Sequence, residues 1–255
     1  MPLLDRDGVR IHYEVRGQGP VVLLSHGYSA TAQMWRGQHD ALSRDHTLVT
    51  WDMRGHGGSD SPDDPAAYSA EATVDDMAAI LDAVGAQRAV IGGLSLGGYM
   101  SLLFHATHPQ RTRALLILDT GPGFRKDEAR EGWNAQARRT AERFEQEGMA
   151  RVAALKASHT GGTHRSAQGL ALAARGMLAQ RDARVMESLP GIRVPALIVV
   201  GADDTPFLQS ADVMAAKIAG AQKVVIPGAG HVANVDQPDA FNAAVRSFLL
   251  GLPPV

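Results

Sequence analysis

The sequence predicts an α/β fold, in which helices cover both faces of a mostly parallel, doubly wound sheet. Short apolar runs without alternation recur along the chain, and such runs are typical of strands buried on both faces. Amphipathic segments of helical period separate these runs, as they do between parallel strands. The predicted strands are residues 21–24, 47–51, 89–91, 114–118, 196–200 and 223–226, and the clearest helices are 70–84, 96–108 and 238–250.

The N-terminal segment predicts an antiparallel hairpin that precedes the parallel strands. Val9, Ile11, Tyr13 and Val15 alternate with polar residues directly after an Asp-Gly pair. Alternation of this kind indicates a half-buried strand, and Asp-Gly favours a tight turn. The helix predicted over 70–84 is followed by Gly85, the residue type that most often follows a helix C-terminus.

One long interval lacks any predicted strand. Residues 121–193 contain helix-like sequence only, although they lie between two predicted sheet strands. Helices inserted there would lie over the carboxyl ends of the strands, where open α/β sheets bind ligands. We therefore expect a sheet core made of residues 1–120 and 195–255, and a helical cap, or lid, made of residues 121–194.

Composition excludes several classes of protein. The chain has 255 residues, a formal net charge of −2 and no cysteine, so disulfide frameworks, thiolate zinc sites and cysteine nucleophiles are absent. No basic excess favours nucleic acid, and the apolar runs are far shorter than the roughly 20 residues of a membrane span. The N-terminus has no apolar signal region, so we expect a cytoplasmic protein.

A Gly-x-Ser-x-Gly motif lies between a predicted strand and a predicted helix. Gly93, Ser95 and Gly97 follow the strand 89–91 and open the helix that begins at Leu96. In this setting the motif predicts a nucleophile elbow, a sharp turn that projects the serine hydroxyl away from the sheet. The alternative is a glycine-rich phosphate loop, but the chain lacks both a Gly-x-Gly-x-x-Gly after its first parallel strand and a glycine loop ending in Lys-Ser or Lys-Thr.

A serine nucleophile needs a base and an acid that orients it. His231 follows the last predicted strand, in a Pro-Gly-Ala-Gly-His loop, and can reach the same sheet edge as Ser95. Three carboxylates follow strands between these two residues. Asp203 and Asp204 follow strand 196–200, and Asp119 follows strand 114–118, so all three remain candidates for the acid.

Backbone amides near Ser95 are candidates for an oxyanion hole. The loop His26-Gly27-Tyr28-Ser29 follows strand 21–24, and the N–H of Tyr28 could pair with the N–H of Leu96 to bind a developing oxyanion. His26 itself is interpreted as a structural residue of this loop rather than as a proton carrier.

These motifs, in this order, resemble the α/β-hydrolase superfamily over nearly the whole chain outside the cap. The resemblance favours Asp204 as the acid, because the family's acid usually stands three residues after the glycine of such a loop. It implies a structural role for the segment 52–59. The motifs that carry it are His26-Gly27, Asp52 to Ser59, the turn at Ser95, Gly201 to Asp204 and Gly230-His231.

Within that superfamily the chain resembles the serine carboxylesterase and enol-lactonase branch. The resemblance implies hydrolysis of carboxylic esters or lactones through an acyl-enzyme, with no metal or cofactor. Carbon–carbon bond hydrolysis and cofactor-free perhydrolase or haloperoxidase chemistry use the same three residues and remain alternatives. A non-catalytic small-molecule receptor on the same fold is an alternative of another class.

The cap is expected to shape the substrate pocket. The candidate lining residues are Trp133, Phe124, Phe144 and Met177, with Met149 and Leu178 beside them, although apolar residues of helical period more often serve packing. Cap arginines could recognise an acidic substrate, or simply form a solvated helix face. These arginines are Arg125, Arg130, Arg138, Arg139 and Arg143. The expected partner is a small ester or lactone, with no nucleic acid and no membrane, and the prediction leaves room for a homodimer.

Overall fold

The computed structural model describes residues 2–155 and 162–254. Its eight strands form one sheet in the order β1-β2-β4-β3-β5-β6-β7-β8. The strands are β1 (Leu3–Arg6), β2 (Val9–Arg16), β3 (Val21–Ser25), β4 (Thr47–Trp51), β5 (Ala89–Leu94), β6 (Thr112–Leu118), β7 (Ala196–Gly201) and β8 (Gln222–Ile226). All six predicted parallel strands are present; most of their ends coincide with the prediction, and the largest difference is at β5, which continues to Leu94.

The α-helices alternate with these strands along the chain. They are α1 (His39–Leu42), α2 (Ala70–Ala83), α3 (Leu96–Thr107), α4 (Asp127–Glu147), α5 (Met149–Leu155), α6 (Ala167–Ala173), α7 (Arg184–Ser188), α8 (Thr205–Lys217), α9 (Ala233–Asp236) and α10 (Pro238–Leu250). Short 3₁₀ helices occur at Ala32–Gln38, Pro65–Ala67, Pro109–Arg111 and Leu189–Gly191, and a π-helical turn at Ala174–Leu178.

The sheet is parallel except at its N-terminal edge. β1 pairs antiparallel with β2, and β2 pairs antiparallel with β4, as the predicted hairpin requires. From β4 onward every pairing is parallel. The chain winds from β3 outward in both directions, which confirms the predicted doubly wound α/β architecture.

Two apolar layers cover the two faces of the sheet. Leu23 points to the layer that contains α2, α3 and α8, whereas its neighbours Val22 and Leu24 point to the layer that contains α10. This alternation is the two-residue period of a strand with both faces buried. Each fully buried Leu, Ile or Phe side chain contributes about 1.5–3 kcal/mol to stability, so the two layers hold the strand ends in a fixed frame.

Four helices, α4 to α7, lie between β6 and β7, in the interval predicted to form the cap. No strand occurs there among the described residues. Phe144 and Leu170 belong to a third, smaller apolar cluster that joins α4, α5 and α6. An exposed ion pair between Arg175 and Glu145, with a nitrogen–oxygen distance of 2.8 Å, links the π-helical turn to α4.

Within the described ranges, none of the helices combines the length and the apolar composition that crossing a membrane would require.

Candidate active site

The turn at Ser95 joins β5 to α3 at the carboxyl edge of the sheet. Ser95 has φ 56° and ψ −116°, a left-handed conformation that is strained for a residue with a side chain. Its backbone is held from β6, because Ser95 N donates to Leu118 O at 2.9 Å and Thr120 Oγ1 donates to Ser95 O at 2.6 Å. Ser95 therefore keeps its strained conformation because these two hydrogen bonds hold both its N–H and its carbonyl oxygen.

The two motif glycines are required by close backbone approach. A Cβ atom at Gly97 would lie 2.3 Å from Ser25 O, and one at Gly93 would lie 2.4 Å from the carbonyl carbon of Gly97. Both contacts are with backbone, which cannot move aside as a flexible side chain can. The first turn of α3 can pack against the end of β3 only because these positions have no side chain.

His231 and Asp204 form a hydrogen-bonded pair above the ends of β7 and β8. His231 Nδ1 lies 2.8 Å from Asp204 Oδ2, and the Asp204 side chain is only 4% exposed. Because a carboxylate accepts, this contact assigns the proton to Nδ1 and leaves Nε2 free to accept a proton. Asp203, the adjacent candidate acid, is exposed.

The surroundings of His231 raise its pKa. Burial by itself lowers the pKa of the imidazole, but the hydrogen bond and the charge of Asp204, together with the charge of Asp119, outweigh it. The pKa of His231 consequently lies above its ordinary value of 6.5. A more basic imidazole is the form suited to accepting a proton from a hydroxyl.

Asp119, the third candidate acid, bonds to backbone rather than to His231. Its side chain is fully buried, Oδ1 accepts from Gly201 N at 2.7 Å, and Oδ2 accepts from Ala233 N at 3.4 Å. Burial raises the pKa of Asp119 to about 7. One carboxyl group thereby ties the β7 end, which leads to Asp204, to the start of α9, two residues after His231.

This bridge also places the histidine loop close to Ser95. Asp119 directly follows Leu118, whose carbonyl accepts the Ser95 N–H, so the serine turn and Ala233 are bonded to two adjacent residues. Ser95 Oγ makes no hydrogen bond within the described chain. Contacts between a nucleophile and its base are often long before substrate binds, and this geometry leaves the hydroxyl open to the cavity.

The His26–Ser29 loop lies directly beside the serine turn. β3 and β5 are neighbours in the sheet with Ser25 opposite Gly93, and a Cβ at Gly27 would lie 3.5 Å from Ser95 Cβ. The N–H of Leu96, at the first position of α3, has no partner within its own helix. Tyr28 is placed one residue beyond Gly27, and its hydroxyl donates to Leu170 O in α6 at 2.8 Å.

His26 is a structural residue of this loop, in line with its interpretation from sequence. The imidazole is fully buried, its Nε2 accepts from Met53 N at 2.9 Å, and its Nδ1 donates to Gly27 O at 2.7 Å. Burial lowers the pKa of His26 to about 4. Both nitrogens are therefore used by backbone, and the ring stays neutral.

Two further neutral imidazoles connect this loop to its surroundings. His56 Nε2 accepts from Ser29 N at 3.2 Å, and His56 Nδ1 donates to Arg54 O at 3.0 Å. His164, which precedes α6, accepts from Gly57 N through Nδ1 at 3.2 Å and donates to Ser29 O through Nε2 at 3.0 Å. Burial lowers the pKa of both rings. The loop beside Ser95 is thus fixed from the sheet and from the inserted helices.

A cavity of about 320 Å³ opens at Ser95. Its walls come from the start of α3, the loop after β6, the inserted helices and α8. Phe207, on the first turn of α8, lines the cavity and also stacks on His231, with ring centroids 4.9 Å apart. The cavity therefore reaches from the serine to the neighbourhood of the imidazole. Among the described residues that line it, none carries a charged side chain.

Two of the four predicted pocket residues line this cavity. Trp133 and Phe124 are at its wall with ring centroids 6.1 Å apart, and Leu178 is beside them. Phe144 and Met177 were predicted to line the pocket, but they are not among the residues that line this cavity. Phe144 is buried in the apolar cluster between the inserted helices, and Met177 is buried in the main core. Neighbouring side chains therefore cover the apolar surface of both residues.

The five arginines of the predicted cap are not among the residues that line the cavity. Arg130 donates to Phe124 O and pairs with Asp127, while Arg138 pairs with Glu131. The other three of the five are exposed on α4 or just before it. Their positions correspond to the solvated helix face that was the alternative to a substrate clamp.

Two residues with a clear place in the site carry no motif in the sequence. Gln180 is buried at the cavity wall, and Phe207 covers the imidazole. Phe207 stands three residues after Asp204, so it could have been found by asking which side chain lies on the first turn of the helix after the acid. A lone glutamine in an irregular segment gives no comparable signal.

In the described part of the chain, no group of three or more His, Asp or Glu side chains is arranged to hold a metal ion.

Comparisons with known proteins identify the family to which this fold belongs. The family model described as α/β hydrolase fold matches residues 20–238. The chain is 28% identical to 3-oxoadipate enol-lactonase 1 of Acinetobacter baylyi, over 97% of this chain and 96% of that protein. The enol-lactonase of Burkholderia xenovorans LB400 superposes with a TM-score of 0.79, at 28% identity, over 98% of this chain and all of the other. A thermophilic esterase from Thermogutta terrifontis gives 0.82, at 29% identity, over 98% and 97%. These relatives support a hydrolase activity, and the chain belongs to the α/β hydrolase fold family.

Proposed function

We propose that this protein is a serine hydrolase that cleaves carboxylic esters or lactones through an acyl-enzyme. The observation that carries the proposal is the pair of His231 and Asp204, held beside the cavity into which the strained Ser95 turn opens. An imidazole whose Nδ1 is bonded to a buried carboxylate is oriented to act as a general base at Nε2.

In the first step, Nε2 of His231 accepts the Ser95 proton while the hydroxyl oxygen attacks the substrate carbonyl. The N–H groups of Tyr28 and Leu96 donate to the oxyanion that forms, each contributing on the order of 3 kcal/mol to the transition state. Asp204 stabilises the imidazolium without taking its proton. The imidazolium then protonates the leaving alkoxide, which departs as an alcohol and leaves the acyl group on Ser95.

In the second step, neutral His231 accepts a proton from water as the water attacks the acyl-enzyme. Collapse of the second tetrahedral intermediate returns the proton to Ser95 and releases the carboxylic acid. For a lactone, the alcohol and the acid are the two ends of one opened ring. Every protein group that acts in the two steps belongs to this chain, and the second step also consumes one water molecule.

Ester and lactone substrates are favoured by two kinds of relative. The matched proteins include an enol-lactonase and an esterase, each of which covers nearly the full chain. Both reactions need the same attack on an acyl carbon, and both can be performed by the residues assigned above.

The experiment is hydrolysis of p-nitrophenyl esters by the wild-type protein and by Ser95→Ala, combined with fluorophosphonate labelling and peptide mapping. We expect labelling at Ser95, and loss of both labelling and turnover in the variant with an unchanged circular dichroism spectrum. Retained turnover in Ser95→Ala contradicts the proposal. Turnover of β-diketones without ester hydrolysis would indicate a carbon–carbon bond hydrolase, and peracid formation without ester hydrolysis would indicate a perhydrolase. Tight binding of a small molecule without turnover would indicate a receptor.

A further inference from the structure

Gln180 is fixed in place at the cavity wall by its own backbone. It follows the π-helical turn that ends at Leu178 and is only 8% exposed. Gln180 N donates to Asn134 Oδ1 at 2.8 Å, and Gln180 O accepts from Asn134 Nδ2 at 2.8 Å. This reciprocal pair of bonds joins the segment to α4. The residue is therefore held rigidly although it lies outside any regular element.

The orientation of the Gln180 amide is also determined. Oε1 accepts from Phe124 N at 3.2 Å, and a Cβ at Gly123 would lie 2.7 Å from the same oxygen. Because a backbone N–H can only donate, the atom that faces it must be the amide oxygen. The NH₂ group is consequently directed away from the loop after β6.

Nε2 of Gln180 makes no hydrogen bond within the described chain. This nitrogen is not among the fully buried polar atoms that lack a partner, so it is reached by solvent although the residue as a whole is buried. Gln180 lines the same cavity as Ser95. A donor fixed in this way, at the wall of a cavity that begins at a reactive hydroxyl, is suited to bind an acceptor atom of a substrate.

The chemistry of the other walls restricts which acceptor fits. Leu96, Tyr99, Trp133, Leu178 and Phe207 supply apolar and aromatic surface, and no described lining residue is cationic. An anionic group would lose its hydration here without gaining an opposite charge. A neutral oxygen would need only the amide donor.

We propose that Gln180 is a specificity-determining residue, whose Nε2 donates a hydrogen bond to an uncharged carbonyl or ether oxygen borne by the part of the substrate that fills this cavity. The inference rests on the proposed hydrolase function and refines its substrate class. The substrates it predicts are neutral esters or lactones with an oxygen acceptor distinct from the scissile carbonyl.

The test compares kcat/KM within matched substrates. On the acyl side these are p-nitrophenyl hexanoate, its 5-oxo analogue and the anionic p-nitrophenyl monoester of adipic acid. On the alcohol side they are hexyl butanoate and its 5-oxo analogue, followed by pH-stat. We expect the oxo compound to be preferred on the order of tenfold in one of the two series, as one hydrogen bond to a buried donor predicts.

The decisive variant is Gln180→Glu, which keeps an oxygen to accept from Phe124 N and replaces the NH₂ donor with a charged carboxylate oxygen that can only accept. We expect the ratio of kcat/KM for the oxo ester to that for the plain ester to fall to about one in this variant, whatever its absolute activity. Gln136→Glu is the matched control, because it makes the same chemical change on exposed α4, and it should keep the preference. Since each readout is a ratio, partial misfolding of a variant does not affect it.

Three outcomes overturn the inference: no oxo preference in either series, a preference that survives in Gln180→Glu, or a preference for the adipate monoester. Fluorophosphonate labelling of Ser95 and hydrolysis of the plain ester by the wild-type protein test the proposed function separately. If these two also fail, the proposed function itself is wrong; if they succeed while the ratio does not change, only the assignment of Gln180 is wrong.

Discussion

Oδ2 of Asp204 lies 2.8 Å from Nδ1 of His231, so a buried carboxylate determines both the orientation and the basicity of the imidazole. The same contact contributes to holding the pKa of His231 above 6.5. A base is active when neutral, and activity should therefore be lost as the pH falls through this raised pKa.

Asp204→Asn should lower kcat by about 10⁴-fold, because the amide no longer stabilises the imidazolium or the correct tautomer. It should also move the acidic limb of the kcat/KM profile to lower pH, since a hydrogen bond and a charge that raise the pKa of His231 are gone. Asp203→Asn makes the same change at the exposed neighbour and should leave the profile unaltered. An acidic limb that stays in place in Asp204→Asn would argue against this pairing.

Asp119→Asn should destabilise the two loops that carry Asp204 and His231. Whichever way the amide is turned, its NH₂ group faces either Gly201 N or Ala233 N, so a backbone donor is left unpaired. We expect the free energy of unfolding to fall by about 1–3 kcal/mol, and kcat to fall more than KM rises, because the loops of acid and base lose their common support. Urea unfolding and steady-state kinetics check both, again with Asp203→Asn as the comparison.

Gly97→Ala should prevent the native turn from forming. The added Cβ would lie 2.3 Å from Ser25 O, a backbone atom that the sheet holds in place. We expect insoluble or unfolded protein, or a loss of several kcal/mol of unfolding free energy. Gly132→Ala is the opposite case, because no atom lies within 4 Å of the new Cβ on exposed α4, and it should stabilise the protein by about 0.5–1 kcal/mol. Thermal melting of the two variants should shift in opposite directions.

The buried histidines give a prediction for NMR. His26 and His56 should be neutral with the proton on Nδ1, whereas His164 should carry it on Nε2, as their backbone partners require. Long-range ¹⁵N–¹H correlation spectra distinguish these tautomers. His12 provides an internal contrast, because its hydrogen bond to Asp52 outweighs burial and raises its pKa. A cationic His26 or His56 at pH 6 would contradict the assignment.

The same residues predict how stability depends on pH. The folded-state pKa of His26 is lowered from 6.5 to about 4, and that of His56 is lowered well below its ordinary value. Below pH 6.5 these two imidazoles are therefore protonated in the unfolded chain but stay neutral in the folded chain. The free energy of unfolding should consequently fall as the pH drops from about 6.5 to about 4. Each such proton contributes up to about 1.4 kcal/mol per pH unit. Buried Asp119 acts in the opposite direction, because its pKa of about 7 lets the folded chain hold a proton in this range that the unfolded chain does not bind.

The amino-acid sequence was sufficient for the sheet, the turn at Ser95 and the placement of His231 at the same edge. These features follow from local rules: continuous apolar runs form buried strands, glycines permit a sharp turn, and loops after parallel strands meet at one edge. The prediction of helices between β6 and β7 needed no more than the absence of a strand pattern.

Contacts between residues that are far apart in the sequence could not be predicted from these local rules. Asp119, Asp203 and Asp204 all follow strands, and only the folded chain distinguishes the carboxylate bonded to His231 from the one that ties two loops together. Phe144 and Met177 have the apolar character of a pocket lining, yet they are consumed by packing. Whether a side chain faces a core or a cavity depends on which helix faces pack against each other. The helical period of a sequence predicts which residues share the apolar face of a helix, but it does not predict what that face packs against.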